Sequence, residues 1–206
     1  MKSQPAAARS LGTKGALAAI LLNLMWGANV VAIKLALGTF PPFWSGFWRM
    51  GAGVPTIGLW ALLRGIPLLP PRSEWASLTA LGTIMTVQTS LVYLGTNLTS
   101  AAYSAVLLNS YPIPTSLIAH FFVPGDHLLW TRVAGLVVAF GGISVLFLGR
   151  PDPELASRPL LGNVLCTTTA CLFGVRFVFT KRIIEHVHPI RAIFWQSAFA
   201  LPFFLA

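Results

Sequence analysis

Three positively charged side chains, Lys34, Arg49 and Arg176, lie inside long apolar stretches of this sequence. A Lys or Arg at the centre of a membrane helix costs about 2.5–3.5 kcal/mol on insertion scales, so it normally faces the protein interior or a water-filled cavity. Charges kept at such a cost are candidates for binding a substrate or for gating its path. These three residues are therefore the first candidates for a functional site.

The acidic residues have a different distribution. Each of the five carboxylates lies at the end of an apolar stretch or between two of them: Glu74, Asp126, Asp152, Glu154 and Glu185. A proton-driven exporter of cations generally needs a buried carboxylate that the cation and the proton can share. Because only positive charges lie inside the apolar stretches, we expect a site that favours anionic or zwitterionic metabolites over lipophilic cations.

Uncharged side chains near these cations extend the candidate site. Asn23 lies 11 positions before Lys34, which places the two on roughly the same face of a helix. Trp48 precedes Arg49, and Asn29 is a second amide in the first apolar stretch. The residues expected to bind substrate or to gate its path are Asn23, Asn29, Lys34, Trp48, Arg49 and Arg176.

All of these residues except Asn23 also have a structural alternative. Arg49 can bond to a backbone carbonyl or extend to the outer membrane face, and Lys34 can cap the outer end of the first helix by reaching the lipid headgroups. Asn29 and Arg176 can hydrogen-bond to neighbouring helices. Trp48 fits the belt of aromatic residues at a membrane interface. The sequence leaves both possibilities open for each residue.

Three prolines also lie within apolar stretches. Proline has no N–H group, so it removes a hydrogen bond from a helix and bends it, which exposes backbone carbonyls. Pro55, Pro112 and Pro114 are therefore candidate hinges. The alternative is a static kink that serves only packing.

The composition indicates which scaffold holds these residues. Hydrophobic residues make up 55% of the chain and charged residues only 9%, against about 25% charged in an ordinary soluble domain. Apolar stretches of roughly 20 residues, enough to cross a hydrocarbon core of about 30 Å, recur along the chain. The sequence predicts an all-α polytopic membrane protein. Its seven expected spans cover residues 15–37, 43–63, 75–96, 101–122, 130–149, 160–181 and 190–206.

The basic residues set the orientation of these spans. With the N-terminus inside, the inner segments hold most of the Lys and Arg, whereas the outer linkers hold Arg150 and Arg158, balanced by Asp152 and Glu154. Positive charge concentrates on the cytoplasmic side of membrane proteins. We therefore expect a cytoplasmic N-terminus in the cell inner (plasma) membrane. The same distribution explains the net charge of +9 without a nucleic-acid partner.

The sequence contains an internal repeat. At a constant shift of 147 positions, Gly27 corresponds to Gly174 and Lys34 to Lys181. The same shift relates Gly15 to Gly162, Pro42 to Pro189, Phe47 to Phe194, Trp48 to Trp195 and Pro55 to Pro202. One repeat contains five spans, an odd number, so the second copy enters the membrane upside down, as in many secondary transporters.

This repeat divides the chain. We expect residues 1–14 to be a cytoplasmic tail, residues 15–149 a complete first repeat of five helices, residues 150–159 a linker, and residues 160–206 part of a second repeat with two helices. Doubling the unit predicts roughly 300 residues and about ten spans for a complete protein. On this interpretation the sequence is C-terminally truncated and lacks about three helices.

Several segments together carry a family resemblance: WGANVVAIKLAL, PPFWSGFWRM, TSAAYSAVLLNSYPIPT and the glycine-rich GLVVAFGGISVL. In their order and spacing, from about Gly15 to Ala206, they resemble the EamA-type branch of the drug/metabolite transporter superfamily. Arg49 stands where the family has an Arg in its second helix, and Pro112 looks like its fourth-helix proline. Asp126 departs from the pattern, because the family usually has Glu there.

The resemblance implies a secondary transporter, working as an exporter of small metabolites, in which access alternates between two inverted repeats. Amino acids or other zwitterionic or anionic compounds are the expected substrates. We expect a lipid bilayer as partner, a homodimer as a further option, and neither cofactor nor metal. The alternative is a non-transporting or inactive membrane subunit, because seven helices of about ten need not enclose a complete site. An enzyme is not expected, since the spans show no nucleophile with a base and no phosphate-binding loop.

Overall fold

A computed structural model describes residues 12–123, 130–148 and 156–205 of the protein. Within these ranges the chain forms eight α-helices and no strand. The helices are α1 (Thr13–Leu37), α2 (Pro42–Leu63), α3 (Trp75–Leu98), α4 (Ala101–Leu108), α5 (Pro112–Phe122), α6 (Trp130–Leu148), α7 (Pro159–Ile183) and α8 (Pro189–Ala200). Short 3₁₀ helices, Arg72–Glu74 and Pro202–Phe204, precede α3 and follow α8.

Five of the seven predicted spans coincide with single helices to within two residues, namely α1, α2, α3, α6 and α7. Three segments of the described chain are long and apolar enough to cross a membrane: Gly15–Leu37, Arg72–Leu98 and Pro159–Ile183. The predicted all-α class is confirmed. The acidic residues Asp126, Asp152 and Glu154 lie outside the described residues.

The prediction of one continuous span over residues 101–122 is wrong. The chain forms α4, turns through residues 109–111 and starts again as α5 at Pro112. Pro112 and Pro114 lie in the first turn of α5, where a proline's missing N–H would have no partner within the helix anyway. The prolines therefore start a helix here instead of bending one, whereas Pro55 does lie inside α2.

The predicted span over residues 190–206 also differs from the structure. Its helix, α8, ends at Ala200, and the chain continues as the 3₁₀ helix from Pro202. Pro202 cannot donate to the preceding turn, which accounts for the end of the regular helix. A helix of 12 residues is about 18 Å long, shorter than a hydrocarbon core of about 30 Å.

Helices α3 and α7 form the centre of the bundle and approach each other closely. A Cβ atom at Gly162 of α7 would lie 2.8 Å from the backbone nitrogen of Thr99, and one at Gly95 of α3 would lie 2.9 Å from Cys166 Sγ. Membrane helices lack a hydrophobic driving force for association, so close contact through small residues is a main source of their packing energy. Gly95 and Gly162 therefore allow α3 and α7 to pack closely against each other.

Polar contacts identify the two ends of the bundle. Lys34, near the end of α1, donates to the carbonyl oxygen of Thr99, which follows α3. Arg191, near the start of α8, binds Glu74 at the start of α3. We call these the Lys34 end and the Arg191 end. Helices α1, α2 and α3 thus run in alternating directions, and so do α7 and α8, whereas α4 and α5 run in the same direction, from the Lys34 end toward the Arg191 end.

The two largest hydrophobic clusters formed by the described residues lie along the bundle. The larger joins α1, α3, α4 and α7 through Val30, Ile33, Val92, Tyr93, Leu107, Leu108, Cys166 and Phe173. The smaller lies toward the Arg191 end and joins α3 to α8 and the segment before it through Leu78, Leu81, Val187 and Ala192. Each cluster contributes apolar contacts that fix the positions of the helices bearing the candidate residues.

Candidate functional site

A cavity of about 240 Å³ lies within the bundle, bordered mainly by α1, α2, α3, α7 and α8. Eight side chains in its wall carry polar or charged groups: Asn29, Arg49, Gln88, Thr89, Tyr93, Arg176, Gln196 and Ser197. The remainder of the wall is apolar: Trp26, Val30, Ile33, Met85, Val92, Leu108, Phe173 and Ile193. At about 30 Å³ per water molecule, the space suits roughly eight waters or a small organic molecule.

Arg49 enters this cavity from α2 and is held by a neighbour on α1. Its Nη1 donates a hydrogen bond of 3.1 Å to Asn29 Oδ1. The guanidinium also lies beside the phenol of Tyr93 on α3. A guanidinium has five N–H donors, so the bond to Asn29 orients Arg49 and leaves donors for a ligand. Asn29 and Arg49 thus both line the cavity, and their hydrogen bond joins α1 to α2.

Arg176 enters the cavity from α7 and is more deeply enclosed. Its Nη1 lies 3.4 Å from Gln196 Oε1 and 2.9 Å from Met85 Sδ. The guanidinium carbon lies 5.2 Å from the ring centre of Phe173 and 5.6 Å from that of Phe177, which gives cation–π attraction. Its Nε is buried and has no hydrogen-bond partner among the described residues. The described residues therefore leave part of the hydrogen-bonding capacity of the Arg176 guanidinium unused.

The two arginine–amide pairs have the same spacing in the chain. Asn29 and Arg49 are 20 positions apart, as are Arg176 and Gln196. The repeat shift of 147 positions relates Asn29 to Arg176 and Arg49 to Gln196. The same guanidinium–amide hydrogen bond therefore occurs at both places that the predicted repeat relates, with the arginine on α2 in one pair and on α7 in the other.

The cavity is positively charged. Arg49 and Arg176 both line it and are close enough to repel each other. Of the carboxylates that the structure describes, Glu74 is bound to Arg191 at 2.7 Å at the Arg191 end, and Glu185 is exposed. Two guanidiniums without a carboxylate in the cavity wall favour a bound anion, which would supply the charge-assisted hydrogen bonds they lack.

A larger groove of about 790 Å³ separates α4 and α5 from α6. The described residues of its wall are uncharged and mostly apolar: Ala105, Val106, Asn109, Ser110, Pro112, Ile113, Ser116, Gly135, Leu136, Ala139, Gly142 and Ile143. None of the candidate cations borders it. We therefore take the smaller, charged cavity as the candidate functional site, because size alone does not supply specific recognition.

The chain resembles known proteins along most of its length. The family model described as the EamA-like transporter family matches residues 13–148. The chain belongs to this family. Together with the long apolar helices, this membership supports an integral membrane protein of the EamA-like transporter family, and the resemblance inferred from the sequence motifs is confirmed.

Two of the relatives that match this chain are named as uncharacterized transporters. An uncharacterized transporter, YoaV, of Bacillus subtilis (strain 168) is 22% identical over 178 residues, which are 86% of this chain and 60% of the relative. The WAT1-related protein At3g02690, chloroplastic, of Arabidopsis thaliana is 25% identical over 176 residues, which are 83% of this chain and 42% of the relative. The chain thus spans about 60% or less of the length of these relatives. No solved structure matches it.

Three of the predicted site residues of this EamA-like family member meet at the cavity, and three lie elsewhere. Asn29, Arg49 and Arg176 line it together. The other three are placed as follows. Asn23 donates to the backbone of Ala19 in its own helix, Lys34 donates to carbonyl oxygens at the end of α3, and Trp48 is 57% exposed on the outside of α2. The prolines Pro55, Pro112 and Pro114 do not border the charged cavity.

The cavity also contains polar residues that the sequence analysis missed. Gln196 could have been found, since the repeat shift relates it directly to Arg49. Gln88 is a lone amide within the apolar stretch TIMTVQTSLVYL, the same kind of signal that identified Asn29. Tyr93 and Ser197 carry no such signal, because a single Tyr or Ser is common on any membrane helix.

Proposed function

We propose that this protein is a secondary transporter that exports small metabolites bearing a carboxylate, amino acids or other zwitterionic or anionic compounds, across the cell inner membrane. The observation that carries this proposal is the cavity wall, in which Arg49 and Arg176 face the same space and none of the described carboxylates lies beside them. An anionic group between the two guanidiniums would replace their mutual repulsion by charge-assisted hydrogen bonds. The described cavity wall offers no carboxylate that could pair with a lipophilic cation.

The residues of the cavity have distinct roles in this proposal. Arg49 is held by Asn29 from one side of the cavity, and Arg176 is held by Gln196 from the other. Each amide accepts one N–H and so orients a guanidinium whose remaining donors can bind a carboxylate. Substrate binding therefore needs little rearrangement of the arginines, which keeps the entropic cost of binding low.

Alternating access between inverted repeats is the mechanism that we propose. Two guanidinium–amide pairs related by the shift of 147 positions support it, because an inverted repeat supplies two equivalent halves that exchange conformations around a central site. The carboxylate stays between the pairs while the helices move around it. Opening toward the Lys34 end and opening toward the Arg191 end are then the two states of one transport cycle.

Exchange in proteoliposomes tests the function. The protein at its full natural length is reconstituted in vesicles preloaded with unlabelled compound, and uptake of labelled leucine, lactate or tetraphenylphosphonium is measured against protein-free vesicles. We expect exchange of leucine, lactate or both, and none of the cation. Arg49→Gln and Arg176→Gln should each reduce exchange at least tenfold, equal to about 1.4 kcal/mol of lost binding.

Arg64→Gln is the matched control, because Arg64 ends α2 and lies over the Trp60 ring outside the cavity. This variant should exchange at the wild-type rate. Exchange of tetraphenylphosphonium alone would refute the anion-binding site. A folded protein that exchanges none of the three compounds would favour the non-transporting membrane subunit.

A further inference from the structure

Gln88 brings an unused hydrogen-bond acceptor to the cavity wall. Its side chain is only 2% exposed, and its Oε1 is buried without a partner among the described residues. A buried polar atom without a partner costs about 1–3 kcal/mol. Since Gln88 borders the cavity, a donor that arrives with the ligand would remove this cost.

We propose that the Gln88 carboxamide oxygen accepts a hydrogen bond from the ammonium group of the substrate, so that the cavity selects α-amino acids over simple carboxylates. This assignment rests on the proposed function, in which Arg49 and Arg176 bind the carboxylate. Thr89, the next residue of α3, borders the same cavity and is only 7% exposed. Its hydroxyl oxygen is a second acceptor on the same wall.

Because the cavity is positively charged, binding of a ligand's ammonium group depends on a carboxylate in the same ligand. An amine without a carboxylate would meet the repulsion of Arg49 and Arg176 with only neutral oxygens to bind it. A carboxylate without an amine would bind the arginines but leave Gln88 Oε1 unpaired. A zwitterion satisfies both requirements, so affinity should fall from zwitterion to anion to cation.

A neutral amide at position 88 is essential to this arrangement. A carboxylate at the same place would pair with an arginine and occupy the substrate's position. The Gln88 oxygen attracts an ammonium through its dipole while leaving the guanidinium charges free for the substrate carboxylate. An apolar side chain of the substrate can pack against Trp26, Ile33 and Phe173, which line the same cavity.

The test compares three ligands that share one carbon skeleton. Leucine carries both charged groups, 4-methylpentanoate lacks the amine, and 3-methylbutylamine lacks the carboxylate. Their dissociation constants are measured by titration calorimetry on the full natural chain in lipid nanodiscs, where passive leakage of the acid or amine has no effect. We expect leucine to bind at least tenfold more tightly than 4-methylpentanoate, and the amine to bind weakest.

Gln88→Met keeps the length of the side chain but removes both polar atoms. We expect it to weaken leucine binding about tenfold while leaving 4-methylpentanoate within twofold of the wild type. Thr83→Ala is the matched control on α3, because Thr83 is exposed and bonds only to Thr79 of its own helix. It should bind all three ligands as the wild type does.

The binding results distinguish failure of the ammonium site from failure of the carboxylate site. Equal affinities of the wild type for leucine and 4-methylpentanoate would overturn the ammonium site while leaving the carboxylate site intact. An equal loss of both ligands in a stably folded Gln88→Met protein would also overturn it, since that pattern indicates altered packing. Failure of leucine and 4-methylpentanoate alike to bind the wild type would refute the carboxylate site itself, and with it the substrate class of the proposed function.

Discussion

Lys34 and Arg176 are both cations within apolar helices, but their surroundings differ. The Lys34 ammonium donates to the carbonyl oxygens of Thr96 at 3.0 Å and Thr99 at 2.6 Å, with that of Asn97 at 3.4 Å. These oxygens lie at the end of α3, where the helix dipole is negative. Arg176 instead faces aromatic rings and an amide, with its Nε unpaired. We therefore interpret Lys34 as a structural clamp and Arg176 as a cation available to a ligand.

Replacement of Lys34 by Met tests the clamp. The variant leaves three carbonyl groups at the end of α3 without their donor, and a hydrogen bond to a charged group is worth about 1.5–3 kcal/mol. We expect a clear fall in melting temperature, corresponding to about 2 kcal/mol, in a thermal unfolding measurement in detergent.

Lys34→Arg provides the control, because it keeps the charge and the donors and should lose less than half as much stability. Binding of ligand to folded Lys34→Met protein should stay within twofold of the wild type, since Lys34 does not border the charged cavity. A variant with unchanged stability and weakened ligand binding would instead assign Lys34 to the transport site.

At the scale of the elements, α1 and α7 correspond by the repeat but have different neighbours. A Cβ atom at Gly174 of α7 would lie 2.8 Å from the backbone nitrogen of Thr115 and 3.1 Å from the backbone carbon of Pro114 in α5. A Cβ atom at Gly27 of α1 would meet nothing within 4 Å in the described structure. Gly174 thus supports a tight helix contact, whereas Gly27, which the predicted repeat shift relates to it, makes no such contact in the described structure.

The paired variants Gly174→Ala and Gly27→Ala measure this difference. At Gly174 the added methyl group meets the backbone of α5, which cannot move as a flexible side chain would, so we expect a loss of about 1–3 kcal/mol. At Gly27 the same change should leave stability unchanged or raise it by up to about 1 kcal/mol through helix propensity. Thermal unfolding of both proteins under one condition gives the comparison; equal losses would contradict the tight contact between α5 and α7.

At the scale of the whole molecule, the two ends of the bundle differ in charge and in closure. At the Arg191 end, Arg191 donates to Glu74 and to the Pro67 carbonyl, and Trp195 donates to the Leu68 carbonyl. Arg182 donates to the Phe122 carbonyl at the same end. These bonds attach the connections between helices to α7 and α8. Arg182 and Arg191 also place positive charge at this end, which the positive-inside rule assigns to the cytoplasm.

Cysteine labelling in intact cells tests this orientation. Phe40→Cys and Leu69→Cys are introduced singly into a chain that carries Cys166→Ser and Cys171→Ser, which serves as the unlabelled control. Phe40 is 45% exposed in the α1–α2 connection, and Leu69 is 82% exposed in the α2–α3 connection. An impermeant maleimide should label the Phe40→Cys protein in intact cells and the Leu69→Cys protein only after permeabilisation. The reverse pattern would place the N-terminus outside.

The sequence by itself determined the helices and part of the site. Long apolar stretches and their Pro, Gly and charged boundaries are local signals, so five spans were predicted to within two residues. Arg49 and Arg176 were identified because a charge within an apolar helix is costly wherever the helix packs. The break before Pro112 was missed, since hydropathy does not distinguish a proline that bends a helix from one that begins it.

Only the tertiary structure decided which polar groups meet. Lys34 binds carbonyl groups 62 to 65 positions later in the chain, although its sequence context resembles that of a cavity-lining residue. Gln88 became a candidate because packing buries its oxygen at the cavity and gives it no partner there. Periodicity places a side chain on a face of its own helix, whereas its partners depend on the packing angles and close approaches of several helices, which no local pattern contains.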